Sequence, residues 1–213
     1  MQYLISLLIG YLIGSIPTAY LLLKLTKGID IRESGSGNVG ALNSLETSNS
    51  KIIGLIVLVI DFLKGFLVVL LIITIYTKSF MLPALGLCSG VLSHNFNPWL
   101  KFKGGRGLAT AAGGSSLMFP FLLVVWCVLW MFLYLYKRNI IIANFFSTLL
   151  SAVLIISISN IAIKYSKPIA ENKLMIVGFT ILLLFIILTK HIKPFVQEIK
   201  SLNLTSKGNK NEK

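Results

Sequence analysis

Two short stretches concentrate the residues able to do chemistry. The first, GIDIRESGSGNVGALN at 28–43, places Gly35, Gly37 and Gly40 among Ser34, Ser36, Asn38 and Asn43, with Arg32 beside them. Glycine lets the chain take positive φ and approach a ligand closely, so successive N–H groups form a nest for an anionic oxygen, and Arg32 adds a bidentate cation. A plain turn needs the same glycines, so this loop alone leaves both readings open. The second stretch, SHNFNPWLKFKGGRGLAT at 93–110, sets Lys101, Lys103 and Arg106 around Gly104, Gly105 and Gly107, ahead of a run of small residues that opens a helix. Cations and orphan N–H groups at a helix start favour phosphate. Neither stretch fits G-x-x-x-x-G-K-[ST], which argues against a nucleoside triphosphatase. Two such loops imply a substrate with phosphate groups, or two phosphorylated substrates.

Other chemistry-bearing residues are few. Asp61 and Lys64 stand three apart inside an apolar run, so they share a helix face and neutralise each other, as a structural pair or as a functional one. His94 reads as a base, a phosphate donor or a satisfied interfacial imidazole, with a polar contact favoured over proton transfer. His191, next to Lys190, fits a position at the membrane surface. Cys88 and Cys127 both lie in apolar runs and read as small hydrophobes. The sequence offers no metal-ligand cluster, no G-x-S-x-G elbow and no Ser/His/Asp set.

The elements that must position these residues are membrane helices. The chain has 213 residues, 55% hydrophobic and 13% charged, against roughly 25% charged in soluble domains. Its net charge of +13 falls in short clusters between apolar runs. That pattern excludes a soluble globular protein and makes nucleic acid a poor partner, while it fits anionic lipid. Apolar runs at 3–23, 52–76, 140–163 and 174–188 are long enough, or nearly so, to cross. The run at 80–93 is short, and 108–136 is broken by Pro120 after the Gly113 to Ser116 cluster.

Charge decides whether that last segment crosses once or twice. Seven spans put 15 Lys and Arg on one side, in 24–51, 94–107, 137–139 and the C-terminal end, against Lys78, Lys164, Lys167 and Lys173 on the other; six spans split them 10 against 9. The expectation is an all-α polytopic bundle of seven transmembrane segments, N-terminus outside and C-terminus cytoplasmic. Its fourth element, Leu108 to about Met118, would be only about 16 Å long as a helix. One integral membrane domain, 1–200, would be followed by a basic flexible cytoplasmic tail, 201–213.

In order along the chain, GSIPTAYLL at 14–22, GIDIRESGSGNVGALN at 28–43, DFLKG at 61–65 and FKGGRGLAT at 102–110 resemble the bacterial acyl-phosphate:glycerol-3-phosphate acyltransferases. These are integral membrane enzymes that make lysophosphatidic acid for phospholipid synthesis. The resemblance implies a seven-helix fold in the bacterial cell membrane, with phosphate loops at the cytoplasmic face. It also implies acyl phosphate and glycerol 3-phosphate as substrates, membrane lipids as surroundings, and no cofactor. Ser36, Gly37 and Asn38, with Asn43 close by, would belong to the first phosphate motif. His94, Lys103, Gly104, Gly105 and Arg106, with Gly107, would belong to the second. Ser36, Lys103 and His94 would then be the catalytic residues: the two loops hold phosphate and His94 orients substrate for direct transfer without a protein nucleophile.

The chain also departs from the family pattern. Arg106 replaces the usual Lys, Leu42 a Thr, Glu46 an Arg, Ile140-Ile141 a Val-Ser pair, and Pro194 and Gln197 an Asn and an Arg after His191. Two rival readings stay open at this point. One is a diverged relative that binds an anionic lipid or phosphorylated metabolite; the other is a small transporter using Asp61, Lys64 and the broken fourth helix.

Overall fold

The structure, a computed structural model, describes residues 1–211, with side-chain surroundings given as far as Leu202. Among the described residues it is all-helical: α1 (Gln2–Gly14), α2 (Thr18–Lys27), α3 (Ala41–Ser48), α4 (Lys51–Ile75), α5 (Met81–Asn95), α6 (Leu108–Met118), α7 (Pro120–Lys137), α8 (Ile140–Ser157), α9 (Ser159–Ala162) and α10 (Lys173–Asn211). Five segments are long and apolar enough to cross a membrane: 2–27, α4, α7, α8 and Lys173–Leu202. At 15 and 11 residues, α5 and α6 are shorter. Helix starts follow local chemistry. The Ser50 side chain accepts from Ile53 N–H, and the Asn139 side chain accepts from the N–H groups of Ile141 and Ile142, satisfying donors that a helix start leaves unpaired. Pro120 opens α7, where its missing N–H costs nothing.

The first apolar run is not one continuous helix. It breaks between Gly14 and Thr18, because Pro17 has no N–H to continue the ladder and restricts the residue before it. The break frees backbone carbonyls for side chains: Asn97 donates to Ser15 O at 2.7 Å and Lys64 to Ile16 O at 2.5 Å.

Glycine explains how short α6 is held. A Cβ on Gly65 of α4 would strike Thr110 O of α6, and one on Gly113 would strike Phe62 O of α4. The two backbones therefore touch, which is the close packing that small residues permit in lipid. Gly10 and Gly14 of α1 lie equally close to the backbone of α5 at Gly86 and Gly90. Phe80, Phe119 and Phe179 anchor the main core, the first two fully buried. The helix α10 runs on to Asn211. Most of the expected basic tail, 201–213, lies outside the residues whose side chains are described.

Candidate active site

The first glycine loop is organised from within by one amide. Asn43, 1% exposed at the start of α3, donates from Nδ2 to Ser34 O at 3.0 Å and Asn38 O at 2.9 Å, with Ile31 O at 3.4 Å. Its Oδ1 accepts from Ser36 N–H at 3.0 Å and from Thr47 Oγ1 at 3.3 Å. Gly35 and Gly37 take positive φ of 58° and 69° to wrap the loop around it. Asn43 is thus the post of this loop. Arg32 is held by Asp30, through Nε at 2.9 Å and a second bond at 2.5 Å, and lies over the Tyr20 ring. That hydrogen bonding pulls the Asp30 carboxyl from 3.8 down to about 2, against the opposing effect of burial.

The second loop hangs from the end of α5. Gly105 N–H donates to His94 O at 3.1 Å, and a Cβ on Gly104 would meet His94 O and Asn95 O. Gly107 turns at φ 79° to open α6 against the Asn95 side chain, which ties α5 to α10 through Ile186 O at 3.1 Å. The two loops also bond to each other: Val39 N–H donates to Gly104 O at 3.4 Å. They therefore meet on one side of the molecule.

Behind them lies a buried charge cluster. Lys64 reaches Asp61 Oδ1 at 2.6 Å, and both side chains are 4% exposed. Their mutual neutralisation, with Ile16 O as a second acceptor, is what makes the burial tolerable. His94 Nδ1 stands 4.0 Å from the same Asp61 oxygen.

Two clefts meet at Arg106. The first, about 630 Å3, is lined by Asn38, Gly40, Asp61, His94, Arg106 and Gly107 among others, with Leu42, Ile140 and Asn144 completing its wall. The second, about 890 Å3, is lined by Ser36, Arg106, Ile141, Lys193, Pro194 and Gln197, with Glu198 and Ser201. Partial burial lowers the pKa of Arg106 from its ordinary value, while the Glu46 charge opposes that shift. An arginine so placed keeps its charge and offers a planar fork to an anion from either cleft.

Not every residue singled out by sequence comes to these clefts. His94, Asn38, Arg106, Gly107 and Asp61 gather at the first, and Ser36 joins Arg106 at the second. Gly104 and Gly105 line a smaller enclosure behind His94. Asn43 acts through the loop backbone, and Lys64 through Asp61. Lys103 is exposed on the loop surface, and Arg32 is occupied by Asp30; neither lines the two clefts. Sequence reasoning missed Asn144, 8% exposed and bonded to the Trp130 indole at 2.7 Å, and Asn97, which ties the second loop to Ser15. A buried asparagine in an apolar run was the available signal for the first. Proline at 98, which makes its neighbour a turn residue, masked the second.

This arrangement defines an integral membrane protein whose two glycine loops meet beside clefts that share Arg106. A family profile described as glycerol-3-phosphate acyltransferase matches residues 4–201. Glycerol-3-phosphate acyltransferase 2 of Moorella thermoacetica is 40% identical over 155 residues, 73% of this chain and 78% of the relative. The glycerol-3-phosphate acyltransferase of Bartonella henselae is 40% identical over 163 residues, 76% of this chain and 73% of the relative. The crystal structure of PlsY (YgiH), an integral membrane glycerol 3-phosphate acyltransferase, in its glycerol 3-phosphate form superposes with a TM-score of 0.79 at 26% identity over 94% of each chain. Its lysophosphatidic acid form gives 0.77. The chain belongs to the glycerol-3-phosphate acyltransferase family.

Proposed function

We propose that this protein transfers an acyl group from an acyl phosphate to a hydroxyl of glycerol 3-phosphate, giving lysophosphatidic acid and phosphate for phospholipid synthesis. The observation that carries the reading is the pairing of the two glycine loops around Arg106 and His94, which lets two phosphorylated reactants share one neighbourhood. The site belongs at the cytoplasmic face of a bacterial cell membrane, in a seven-span topology that uses the short α5 and α6 as crossings and leaves the N-terminus outside. The charge distribution supports that topology.

The chemistry asks for positioning rather than a nucleophile. An acyl phosphate is a mixed anhydride: the glycerol oxygen bonds to the acyl carbon, the carbon to phosphate-oxygen bond breaks, and phosphate departs with the electron pair. The departing phosphate can take up the hydroxyl proton. Holding the reacting atoms about 3 to 3.5 Å apart supplies much of the acceleration. Donors aimed at the developing oxyanion supply more. In this reading the Ser36 loop and the end of the second loop at Arg106 and Gly107 hold phosphate, Arg106 neutralises charge from both clefts, and His94 orients the hydroxyl. The acyl chain is assigned to an apolar groove lined by Ala111, Ala112, Leu122, Trp126, Leu183 and Ile187, which begins at Leu108 of the first cleft.

A second reading, a relative that binds a phosphorylated ligand with altered catalysis, is favoured by the departures Ile141, Pro194 and Gln197, all three of which line the second cleft. The deciding experiment uses the purified protein in lipid nanodiscs with acyl phosphate and glycerol 3-phosphate. Lysophosphatidic acid formed with equal release of phosphate is the expected result. Turnover with acyl-CoA alone overturns the donor assignment. Binding of glycerol 3-phosphate without product moves the protein to the second reading.

A further inference from the structure

His94 is a partition. On one side lies the first cleft; on the other lies a small enclosure walled by Ile16, Thr18, Val39, Asp61, Asn97 and the backbone of Gly104 and Gly105. His94 Nδ1 stands 4.0 Å from Asp61 Oδ1, beyond direct hydrogen-bond reach, while Nε2 is turned to the glycine loop at Gly105. The enclosure also receives Thr18, whose residue is 8% exposed and whose buried Oγ1 pairs with no other group among the described residues. A buried hydroxyl without a partner costs about 1 to 3 kcal/mol. Three polar groups of different elements, Thr18 of α2, Asp61 of α4 and His94 of α5, thus converge on a space on the scale of one water molecule.

We propose that this enclosure is a water-binding site in which one ordered water joins Thr18 Oγ1, Asp61 Oδ1 and His94 Nδ1. Two hydrogen bonds of about 2.8 Å meeting at a near-right angle span the separation of 4.0 Å between Nδ1 and Oδ1. The Asp61 carboxylate, already accepting from Lys64, is an acceptor only, so it takes one water hydrogen. The water oxygen then accepts from His94 Nδ1–H, and Thr18 supplies or receives the remaining bond. This fixes the neutral imidazole with its proton on Nδ1 and leaves the Nε2 lone pair turned to Gly105. Thr18 is accordingly a positioning residue that acts through water on the orientation of the His94 ring. Only the kinetic consequence rests on the acyl-transfer reading; the water and the tautomer do not.

The test compares Thr18→Val, which keeps the shape and removes the hydroxyl, with Thr18→Ser, which restores it. The chain has two histidines, so a sample with 15N-labelled imidazoles in nanodiscs carries two rings, assigned by His94→Gln. Wild type and Thr18→Ser are expected to show the His94 ring as a single Nδ1–H tautomer, and Thr18→Val a mixture of the two. In parallel, kcat should fall about tenfold in Thr18→Val with KM little changed, and recover in Thr18→Ser, as expected when a reacting group is misplaced rather than lost. An unchanged His94 tautomer in a folded Thr18→Val protein overturns the water site, whatever the activity. A tautomer change without any change in kcat keeps the water site and removes His94 from the transfer reaction.

Discussion

The two clefts that share Arg106 are built from differently treated parts of the chain. The first takes Asn38, Asp61, His94 and Gly107 from segments that follow the family pattern, with the departures Leu42 and Ile140 only in its apolar wall, and it is tied together by loop-to-loop and buried ionic contacts. The second takes Ile141, Pro194 and Gln197, each a departure from that pattern, together with the oppositely charged Lys193 and Glu198. Glu198 is already engaged by Asn139 at 2.7 Å. On the proposed reading, the contrast assigns acyl transfer chemistry to the first cleft and to the second an adjustment of how firmly a phosphorylated substrate is held. An Arg replaced by Gln loses a charge-assisted bond, not a reacting group.

The largest effect expected from breaking this picture is at the post of the first loop. Asn43→Ala removes the hydrogen bonds that hold the loop backbone at Ser34, Ser36 and Asn38 and should lower kcat/KM about a hundredfold, read as lysophosphatidic acid formed by protein of normal yield. Arg106→Ala should cost at least tenfold and raise KM for both substrates, because the residue lines both clefts. Lys103→Ala, outside both, should cost clearly less; equal losses would erase the distinction between a cleft cation and a surface one. Gln197→Arg should sharpen the comparison by lowering KM for glycerol 3-phosphate about threefold at constant kcat. A change in kcat of the same size would place the second cleft in the chemistry.

The smallest effect concerns the Asp30–Arg32 pair. Its carboxyl titrates lower in the folded protein than in the unfolded chain, so the unfolded state binds more protons between the two values. The pair's contribution is complete above about pH 4 and is lost as pH falls through about 2. Acid unfolding of Asp30→Asn should lack that step, and the difference is modest because the pair is partly exposed to solvent.

Much of this was legible in the sequence. Apolar runs placed the helices, and the 11-residue element at 108–118 has the expected bounds. The glycine loops stood out by composition, and the three-residue spacing of Asp61 and Lys64 gave their ion pair. What was not legible depends on contacts distant along the chain. The break at Pro17 gains its meaning from Lys64 reaching Ile16 O across 48 positions. Arg32 looked available to a ligand because the bidentate grip of neighbouring Asp30 is a matter of rotamers, not spacing. Asn43 looked like one polar loop residue among several, although its role is to hold the others.

The backbone contact between α4 and α6 bears on how the chain is made. A segment of 11 residues is too short to cross a bilayer unaided, whereas α4 is long and strongly apolar and can enter on its own. The short segment therefore has to settle against a partner already in place, using Gly65 and Gly113 as its berth. A bulky residue at either glycine should show itself first during biogenesis, as nascent chains with the segments after α6 inverted and cleared by membrane proteases before any enzyme exists to assay.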